Sequence, residues 1–326
     1  MATSGSYDYS ATASDIIIAS MEDIGVLAAG ETLSSEAQTV ALKRLNYLVK
    51  QMQGSSDMLP SVKSFSRQRV TLFLAVGQQT YTVGPASTDS RATTAYGRTT
   101  LSAAEALGQT TLSITSNTDT VTYPGTTITM TASDIVGIQL DDGTIQWTTI
   151  SGTPSTTMDV AVALTGAAAA GNYVWWFTSR AQRFPMIEGA LLRDENRQDA
   201  FVTVYREVGE YESVLDKEAQ GDPTAILVEP LRLNTRITLD SQPTDITKQL
   251  RLTVLYPAED YDSASNDIAF PQEAFSFLEW ELAFRCAPAF GRKWNEEMEA
   301  NRTASRLMWG QFNPERSSAY YQPGKE

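Results

Sequence analysis

Residues 270–291, near the C-terminal end, read FPQEAFSFLEWELAFRCAPAFG. Pro271 suits the first turn of a helix, because its missing N–H is not needed there. The pattern then predicts a helix whose apolar face holds Phe275, Leu278, Leu282 and Cys286. Pro288 and Gly291 end this helix, and the lone cysteine on its apolar face is interpreted as a buried hydrophobic residue.

A second helix is predicted after Gly291. Its apolar side would carry Trp294, Met298 and Met308. Its polar side would carry Glu296, Glu297, Glu299, Arg302 and Arg306. Two helices bury too little surface to be stable alone, so a partner is required.

The N-terminal sixty residues supply that partner in the form of a predicted helical hairpin. The first helix would start at an N-cap, Ser14, and end at Gly25. The second would start with a capping box of Ser35 and Gln38 and stop at Gly54. The four amphipathic segments together predict one helical cluster built from both ends of the chain.

Beyond Pro60 the period becomes alternating, which is typical of strands. Residues 70–83 are interpreted as a hairpin interrupted at Gly77. A second β pattern follows, with a short helix predicted at 210–220 and strands at 200–205, 225–228, 231–239 and 250–256.

Between these β segments lies a threonine-rich stretch, residues 99–177, that contains no lysine or arginine. Six short alternating runs occur in it, and Asp142-Gly143 between two of them is a strong hairpin signal. The spacing predicts a small β-sandwich or barrel inserted as a separate module.

The predicted fold class is therefore α+β. The N- and C-terminal helices form one helical domain, which is interrupted by a β-rich domain that itself carries the inserted module. The predicted domains are 1–60 with 268–312, 61–90 with 178–267, the module 91–177, and an extended C-terminal arm 313–326.

Composition excludes several functional classes. The chain of 326 residues has no histidine and one cysteine, which excludes Ser-His-Asp and Cys-His catalysis, the usual transition-metal sites and an intrachain disulfide framework. The net charge is −14, and no basic cluster suited to adhesive DNA binding is visible. Neither a signal peptide nor an apolar run of about 20 residues is found, so no membrane segment is expected.

Few residues are candidates for a functional site, and no catalytic, cofactor or metal site is predicted. Asp134, Asp141 and Asp142 are interpreted as turn residues rather than a cation site, and the acidic stretch 259–267 matches no calcium loop. Glu296, Glu297 and Glu299 are interpreted as solvated charges, with paired carboxylates for glycoside hydrolysis as the alternative.

Aromatic residues give the remaining candidates. Trp175 and Trp176 lie side by side in a strand, so one could face outward as a surface or carbohydrate contact, unless both faces of the sheet are packed. The tail carries Phe312, Tyr320 and Tyr321 without helical or strand period, which is typical of an arm that becomes ordered on a partner, with a frayed chain end as the alternative.

Five further motifs occur at the two ends of the chain: ASDII at 13–17, IGVLAAGET at 24–32, LNYL at 45–48, DIAFPQE at 267–273 and APAFG at 287–291. Their order and spacing resemble those of head-to-tail adaptor (connector) proteins of short-tailed bacteriophages. The run from Tyr211 through Gly221-Asp222-Pro223 to Leu255-Tyr256-Pro257 resembles the β-subdomain of longer members. The inserted module has no counterpart in the small members.

The resemblance implies a structural virion protein that forms a ring, usually of twelve subunits, between the portal and the tail. Its partners would be the portal protein, through the C-terminal arm, tail nozzle or tail fibre proteins, and other copies of itself. DNA would pass through the ring without specific binding, and the protein would be assembled in the host cytoplasm into the capsid–tail vertex. The alternatives are a surface- or carbohydrate-binding β-module protein of the virion and a peptidoglycan hydrolase.

Overall fold

A computed structural model describes residues 9–53, 66–85, 91–123 and 125–311. The chain divides into two compact units. The terminal unit consists of Met1–Ser66 and Pro257–Glu326, and the central unit is Arg67–Tyr256. The stretch predicted as a separate module, 91–177, lies within the central unit.

The described residues contain five α-helices and sixteen strands. The helices are α1 (Ala13–Asp23), α2 (Ser35–Gln53), α3 (Val208–Glu212), α4 (Phe275–Cys286) and α5 (Glu296–Gln311). The first eight strands are β1 (Arg67–Phe73), β2 (Thr80–Val83), β3 (Ala92–Thr93), β4 (Gly97–Thr100), β5 (Thr111–Ser113), β6 (Thr118–Asp119), β7 (Ile128–Thr129) and β8 (Ile135–Gln139). The others are β9 (Ile145–Thr149), β10 (Thr157–Asp159), β11 (Tyr173–Phe177), β12 (Met186–Arg193), β13 (Asp199–Tyr205), β14 (Ala225–Pro230), β15 (Thr235–Leu239) and β16 (Gln249–Leu255).

The fold class predicted from the sequence is wrong. Strands account for 30% of the described residues and helices for 25%, and the largest feature is a nearly closed eight-stranded sheet, so the described structure is mainly β. The helices are short, and the predicted terminal helical domain does not define the fold. Amphipathic helices give a longer and clearer periodic signal than short strands, and the prediction therefore gave the helices too much weight.

The terminal unit is organised around α4, which packs against α1, α2 and α5. Their shared core includes Ile17, Leu45, Leu278, Leu282 and Trp309, all at most 1% exposed. The two chain ends also join through their backbones. Ala13 N donates to Asn266 O at 2.8 Å, and Ile268 N donates to Ala11 O at 2.9 Å.

The helix starts differ by one or two residues from those predicted. Thr12, and not Ser14, caps α1 in a capping box with Asp15, whose backbone N donates to Thr12 Oγ1 at 3.3 Å. Ser34, and not Ser35, accepts the hydrogen bond from Ala37 N at the start of α2. Gly25 follows α1 with φ 67°, a left-handed conformation that glycine adopts without strain.

The eight-stranded sheet has the order β2-β15-β14-β13-β12-β16-β1-β3. Strands β1 and β16 pair antiparallel along all seven residues of each, with Arg67 opposite Leu255 and Phe73 opposite Gln249. Because Arg67 and Leu255 begin and end the strand-forming part of the central unit, the chain enters and leaves this unit at neighbouring positions.

Residues 70–83 do not form the predicted hairpin. β1 pairs with β16 and β3, whereas β2 pairs with β15 at the opposite end of the strand order. Residues 74–79 connect the two, and six residues span at most about 20 Å. This short connection therefore keeps the two ends of the sheet close together, which accounts for its near closure.

One central strand, β12, was not predicted. It pairs with β16 on one side and β13 on the other, and its register shifts between Ile187 and Gly189. The shift breaks the strict alternation on which strand prediction depends. A second difference concerns the helix predicted at 210–220. The observed helix α3 covers only Val208–Glu212, and residues 213–220 form turns and bends instead.

The threonine-rich stretch forms the predicted small strands. A four-stranded sheet has the order β4-β11-β8-β9, and two-stranded sheets join β5 to β10 and β6 to β7. The Asp142-Gly143 turn is confirmed. It connects β8 to β9, Gly143 has φ 83°, and Asp142 Oδ1 accepts a hydrogen bond from Thr144 N at 2.9 Å.

An aromatic cluster joins the threonine-rich stretch to the large sheet within the central unit. Phe73 of β1 is fully buried there, with ring centroids 5.2 Å from Tyr96, 5.2 Å from Trp147, 5.9 Å from Trp175 and 6.2 Å from Phe177. These rings and Ile246 form a common buried core. The stretch is therefore packed onto the sheet by side chains from both parts.

No helix in the described ranges is long and apolar enough to cross a membrane.

We predict that Phe73→Ala lowers the free energy of unfolding by about 3–5 kcal/mol, because it leaves a cavity among the packed rings. Urea denaturation followed by tryptophan fluorescence would measure the loss. Phe201→Ala is the matched control, since Phe201 lies on a strand of the same sheet but is 91% exposed. Its expected change is within about 0.5 kcal/mol. Equal losses in the two variants would contradict the assigned packing.

Candidate interaction surface

A buried ion-pair network fixes α5 against α4 in the terminal unit. The Glu281 side chain is 1% exposed, and its Oε1 accepts a hydrogen bond from Arg302 Nε at 2.9 Å and another from Arg306 Nε. Burial alone would raise the pKa of Glu281, but the hydrogen bonds from Arg306 and Arg302 outweigh it and lower that pKa. The carboxylate therefore stays charged and holds two cations on α5.

This network corrects the predicted faces of α5. Arg302, predicted to face solvent, has an 11% exposed side chain, and its guanidinium carbon lies 3.5 Å from the centroid of the Phe284 ring. The buried apolar residue of the last turn is Trp309, which stacks on Phe277 at 6.1 Å, whereas Met308 is 71% exposed. The predicted apolar stripe is thus displaced by one residue at its C-terminal end.

A groove of about 500 Å³ lies beside this network, between α2 and the last turn of α4. It is lined by Val40, Lys43, Arg44, Tyr47 and Arg285. Val40 and Tyr47 are 42% and 59% exposed, and Lys43 Nζ lies 5.7 Å from the centroid of the Tyr47 ring. The groove thus combines uncovered apolar surface with three cationic side chains.

The cations of this groove have no carboxylate partner among the described residues. None of Lys43, Arg44 and Arg285 lies within 4.0 Å of a carboxylate oxygen there. Arg44 instead donates to the backbone O of Arg285, and Arg285 donates to Gln51 Oε1. The groove is therefore a local excess of positive charge on a chain whose net charge is −14.

Arg285 shows the consequence of this excess. Burial lowers the pKa of its guanidinium, Glu281 opposes that effect, and the positive charges of Arg302, Arg306 and Arg44 lower the pKa further. Its Nε is buried and lacks a hydrogen-bond partner in the part of the chain that the structure describes. An anion in the groove would lower the electrostatic energy of this cluster.

The central unit has a second exposed patch on the outer face of the large sheet. Phe201 of β13 is 91% exposed and lies opposite Leu191 of β12. Beside this pair, Arg193 Nε donates to Asp199 Oδ1 at 2.6 Å, whereas Arg251, which lies opposite Leu191 on β16, has no carboxylate oxygen within 4.0 Å among the described residues. A neighbouring polar cavity lined by Tyr96, Arg98 and Gln249, among others, has only about 20 Å³, which is room for a water molecule.

Trp175 and Trp176, predicted as possible surface contacts, are both buried. Trp175 is 1% exposed in the aromatic cluster, and Trp176 is 0% exposed in the core of the threonine-rich stretch. The Trp176 ring covers Gly97 on the neighbouring strand, where an added Cβ would come within 2.1 Å of it. Both faces of this sheet are packed, so neither indole offers a surface to a ligand.

The predicted arm residues Phe312, Tyr320 and Tyr321 lie outside the described residues. Glu296, Glu297 and Glu299 lie on exposed positions of α5, and Glu299 Oε2 accepts hydrogen bonds from Trp294 Nε1 at 2.8 Å and from Arg302 Nη1 at 3.3 Å. Glu299 is therefore held by two hydrogen bonds to neighbouring side chains, whereas Glu296 and Glu297 are exposed to solvent.

The predicted turn aspartates have structural roles. Asp134 Oδ2 accepts from Thr131 N at 2.7 Å, and Asp141 Oδ1 accepts from Ala169 N at 2.8 Å. No group of three or more acidic or cysteine side chains suited to a metal ion occurs among the residues described. Cys286 is buried as predicted, and burial raises the pKa of its thiol to about 11.

The groove itself was missed. Its cations come from two helices, Lys43 and Arg44 from α2 and Arg285 from α4. The predicted helical cluster places these two helices in one body, but no local pattern shows which of their residues meet, because Arg44 and Arg285 are 241 positions apart. The only local signal was the pair of consecutive cations between Val40 and Tyr47, on a helix whose other charged residues are Glu36 and Lys50.

Comparison of the sequence with protein families and with curated proteins finds no match to either.

A carboxyl pair connects α1 to α4 elsewhere in the terminal unit. Asp23 and Glu279 share a hydrogen bond between their side chains. Ser20 Oγ, on the preceding turn of α1, lies 2.6 Å from Ile16 O and 3.0 Å from Glu279 O. Burial, together with the charges of Asp23 and Glu22, raises the pKa of Glu279 to about 7, and burial also raises the pKa of Asp23.

We predict that this pair makes the stability of the terminal unit depend on pH. The pKa of Glu279 is raised in the folded state, so its stabilising effect is complete below the unfolded value of 4.5 and is lost as the pH rises through about 7. No histidine obscures this window, because the chain has none. The free energy of unfolding measured in urea should therefore fall between pH 5 and pH 8.

Glu279→Gln should remove most of this fall, since a neutral amide can remain hydrogen-bonded to Asp23 at every pH in the window. Glu273→Gln, at an exposed position just before α4, is the matched control and should keep the wild-type dependence. A Glu279→Gln protein with the full wild-type dependence on pH would show that the raised pKa of Glu279 does not cause the fall in stability.

Proposed function

We propose that the protein is a structural virion protein, a head-to-tail adaptor that assembles as a ring between the portal and the tail of a short-tailed bacteriophage. The observation that supports it best is the cationic and partly apolar groove on the terminal unit of a strongly acidic chain. The same unit carries the motifs at 13–48 and 267–291 that resemble the adaptor family.

Uncovered apolar side chains on the helices also favour assembly. Val40 and Tyr47 lie two turns apart on one side of α2, and both line the groove. On α5, Leu307 and Met308 are 62% and 71% exposed in the turn before residue 311. Single exposed apolar residues are common, but apolar residues grouped beside cations are typical of protein interfaces.

The alternatives have less support. A carbohydrate-binding function rested on Trp175 and Trp176, which are buried. A wall hydrolase rested on Glu296, Glu297 and Glu299, of which Glu299 is held by Trp294 and Arg302. An assembly function therefore agrees best with the contacts of these residues.

As proposed, the partners of the ring are the portal protein, tail nozzle or tail fibre proteins, and neighbouring copies of the chain. DNA passes through without specific binding, in keeping with a net charge of −14 per chain. The protein would be assembled in the host cytoplasm and would reside at the capsid–tail vertex.

Binding to purified portal protein tests the proposal. We predict that native mass spectrometry and negative-stain microscopy show a ring on the portal, and that replacing Phe312, Tyr320 and Tyr321 together by alanine weakens portal binding by at least about tenfold. Phe201→Ala, which removes an exposed ring from the central unit, is the control and should bind normally. A wild-type protein that stays monomeric and ignores the portal would disprove the proposed function.

A further inference from the structure

The groove between α2 and α4 has more positive charge than the described residues of its own chain neutralise. Glu281 is a buried carboxylate that interacts electrostatically with Arg285, but it is already paired with Arg302 and Arg306. Arg44 and Arg285 then lie beside that network without a carboxylate of their own among the described residues, and Lys43 adds a third charge at the rim. A carboxylate supplied from outside would complete the network.

We propose that this groove receives an acidic segment of a second copy of the chain and is thereby one half of the contact between neighbouring subunits. This inference rests on the proposed ring and adds the surface that holds it together. The ligand is one or more carboxylates on a neighbouring subunit, bound by Lys43, Arg44 and Arg285. The flanking Val40 and Tyr47 lose water when the neighbour covers them.

The composition of the chain favours a second copy as the occupant. The chain carries 39 aspartate and glutamate residues against 25 lysine and arginine residues, so two copies brought together at random surfaces repel each other. Electrostatics favours association where a cationic patch meets an acidic one. The groove is such a cationic patch, and acidic segments are abundant on every copy.

The geometry of such a contact is suited to a ring. The groove and its acidic complement are different patches, so each copy can use its groove on one neighbour and its acidic segment on the other. A head-to-tail contact of this kind closes into a ring when a whole number of equal rotations between neighbours completes a full turn. Duplex DNA is a poorer occupant, because a net charge of −14 opposes its approach.

Charge reversal at Lys43 tests the proposal. Lys43 is exposed and its ammonium is in no ion pair with a described residue, so Lys43→Glu should fold normally, as circular dichroism would verify. We expect Lys43→Glu to weaken self-association on the order of tenfold or more in analytical ultracentrifugation at low salt. Lys43→Arg should associate like wild type. Wild-type association should also weaken as sodium chloride is raised towards 1 M.

Lys293→Glu is the matched control, since it makes the same charge change at an exposed position of the same unit outside the groove. Equal weakening by Lys43→Glu and Lys293→Glu would show a general charge effect and overturn the proposal. So would a Lys43→Glu protein that forms rings normally, even if it failed to bind the portal, because the groove would then belong to the portal contact. Either of these outcomes would leave the proposed adaptor function intact. A wild-type protein that neither self-associates nor binds portal would contradict the adaptor function and the groove contact together.

Discussion

The antiparallel pairing of β1 with β16 is the contact on which the rest of the structure depends. Its seven-residue register places Arg67 opposite Leu255, so the chain enters and leaves the central unit at adjacent positions. Everything between those residues is in effect one long closed loop, and loop closure costs only slightly more free energy as a loop grows. Residues before 67 and after 256 can therefore belong to one unit despite their separation in sequence.

The same strand also holds the threonine-rich stretch in place. Val70 and Leu72 of β1 point into the core of the large sheet, whereas Phe73 at its end is buried among rings of that stretch. Gly97 and Gly137 lie opposite Trp176 and Trp147, and in both cases a side chain in place of glycine would collide with the indole. These two pairs hold neighbouring strands of the four-stranded sheet together, whereas packing around the Phe73 ring attaches the stretch to the large sheet.

In the terminal unit, the charged side chains of α2, α4 and α5 determine the properties of the groove. Glu281 is buried and held by two arginines, and removing one partner of such a network costs about 3–5 kcal/mol. That requirement keeps several cations close together on α4 and α5. Arg44, Arg285 and Lys43 are then left without a carboxylate in the described part of the unit, and this is the basis for assigning the groove to assembly.

The sequence predicted the local elements better than their partners. Helices α1, α2 and α4 follow from apolar residues at helical spacing, and the β8–β9 turn follows from Asp142-Gly143. The hairpin expected at 70–83 is wrong because β1 and β2 both pair with strands more than 150 residues away, which no local pattern encodes. β12 was missed because its register shift interrupts alternation, and the burial of both Trp175 and Trp176 depends on a second layer of structure. The α+β class is wrong because many short strands outweigh a few conspicuous helices.

Cysteine cross-linking of β1 to β16 would test this account most directly. Opposed residues on neighbouring antiparallel strands are close enough for a disulfide, whereas diagonal neighbours two positions away are not. Arg69 lies opposite Thr253, and Arg251 is two positions before Thr253 on β16. The assigned register predicts that Arg69→Cys with Thr253→Cys forms an intramolecular disulfide under mild oxidation, while Arg69→Cys with Arg251→Cys does not. Cross-linking of the second pair in preference to the first, or of neither, would contradict the register and the arrangement of chain ends that follows from it.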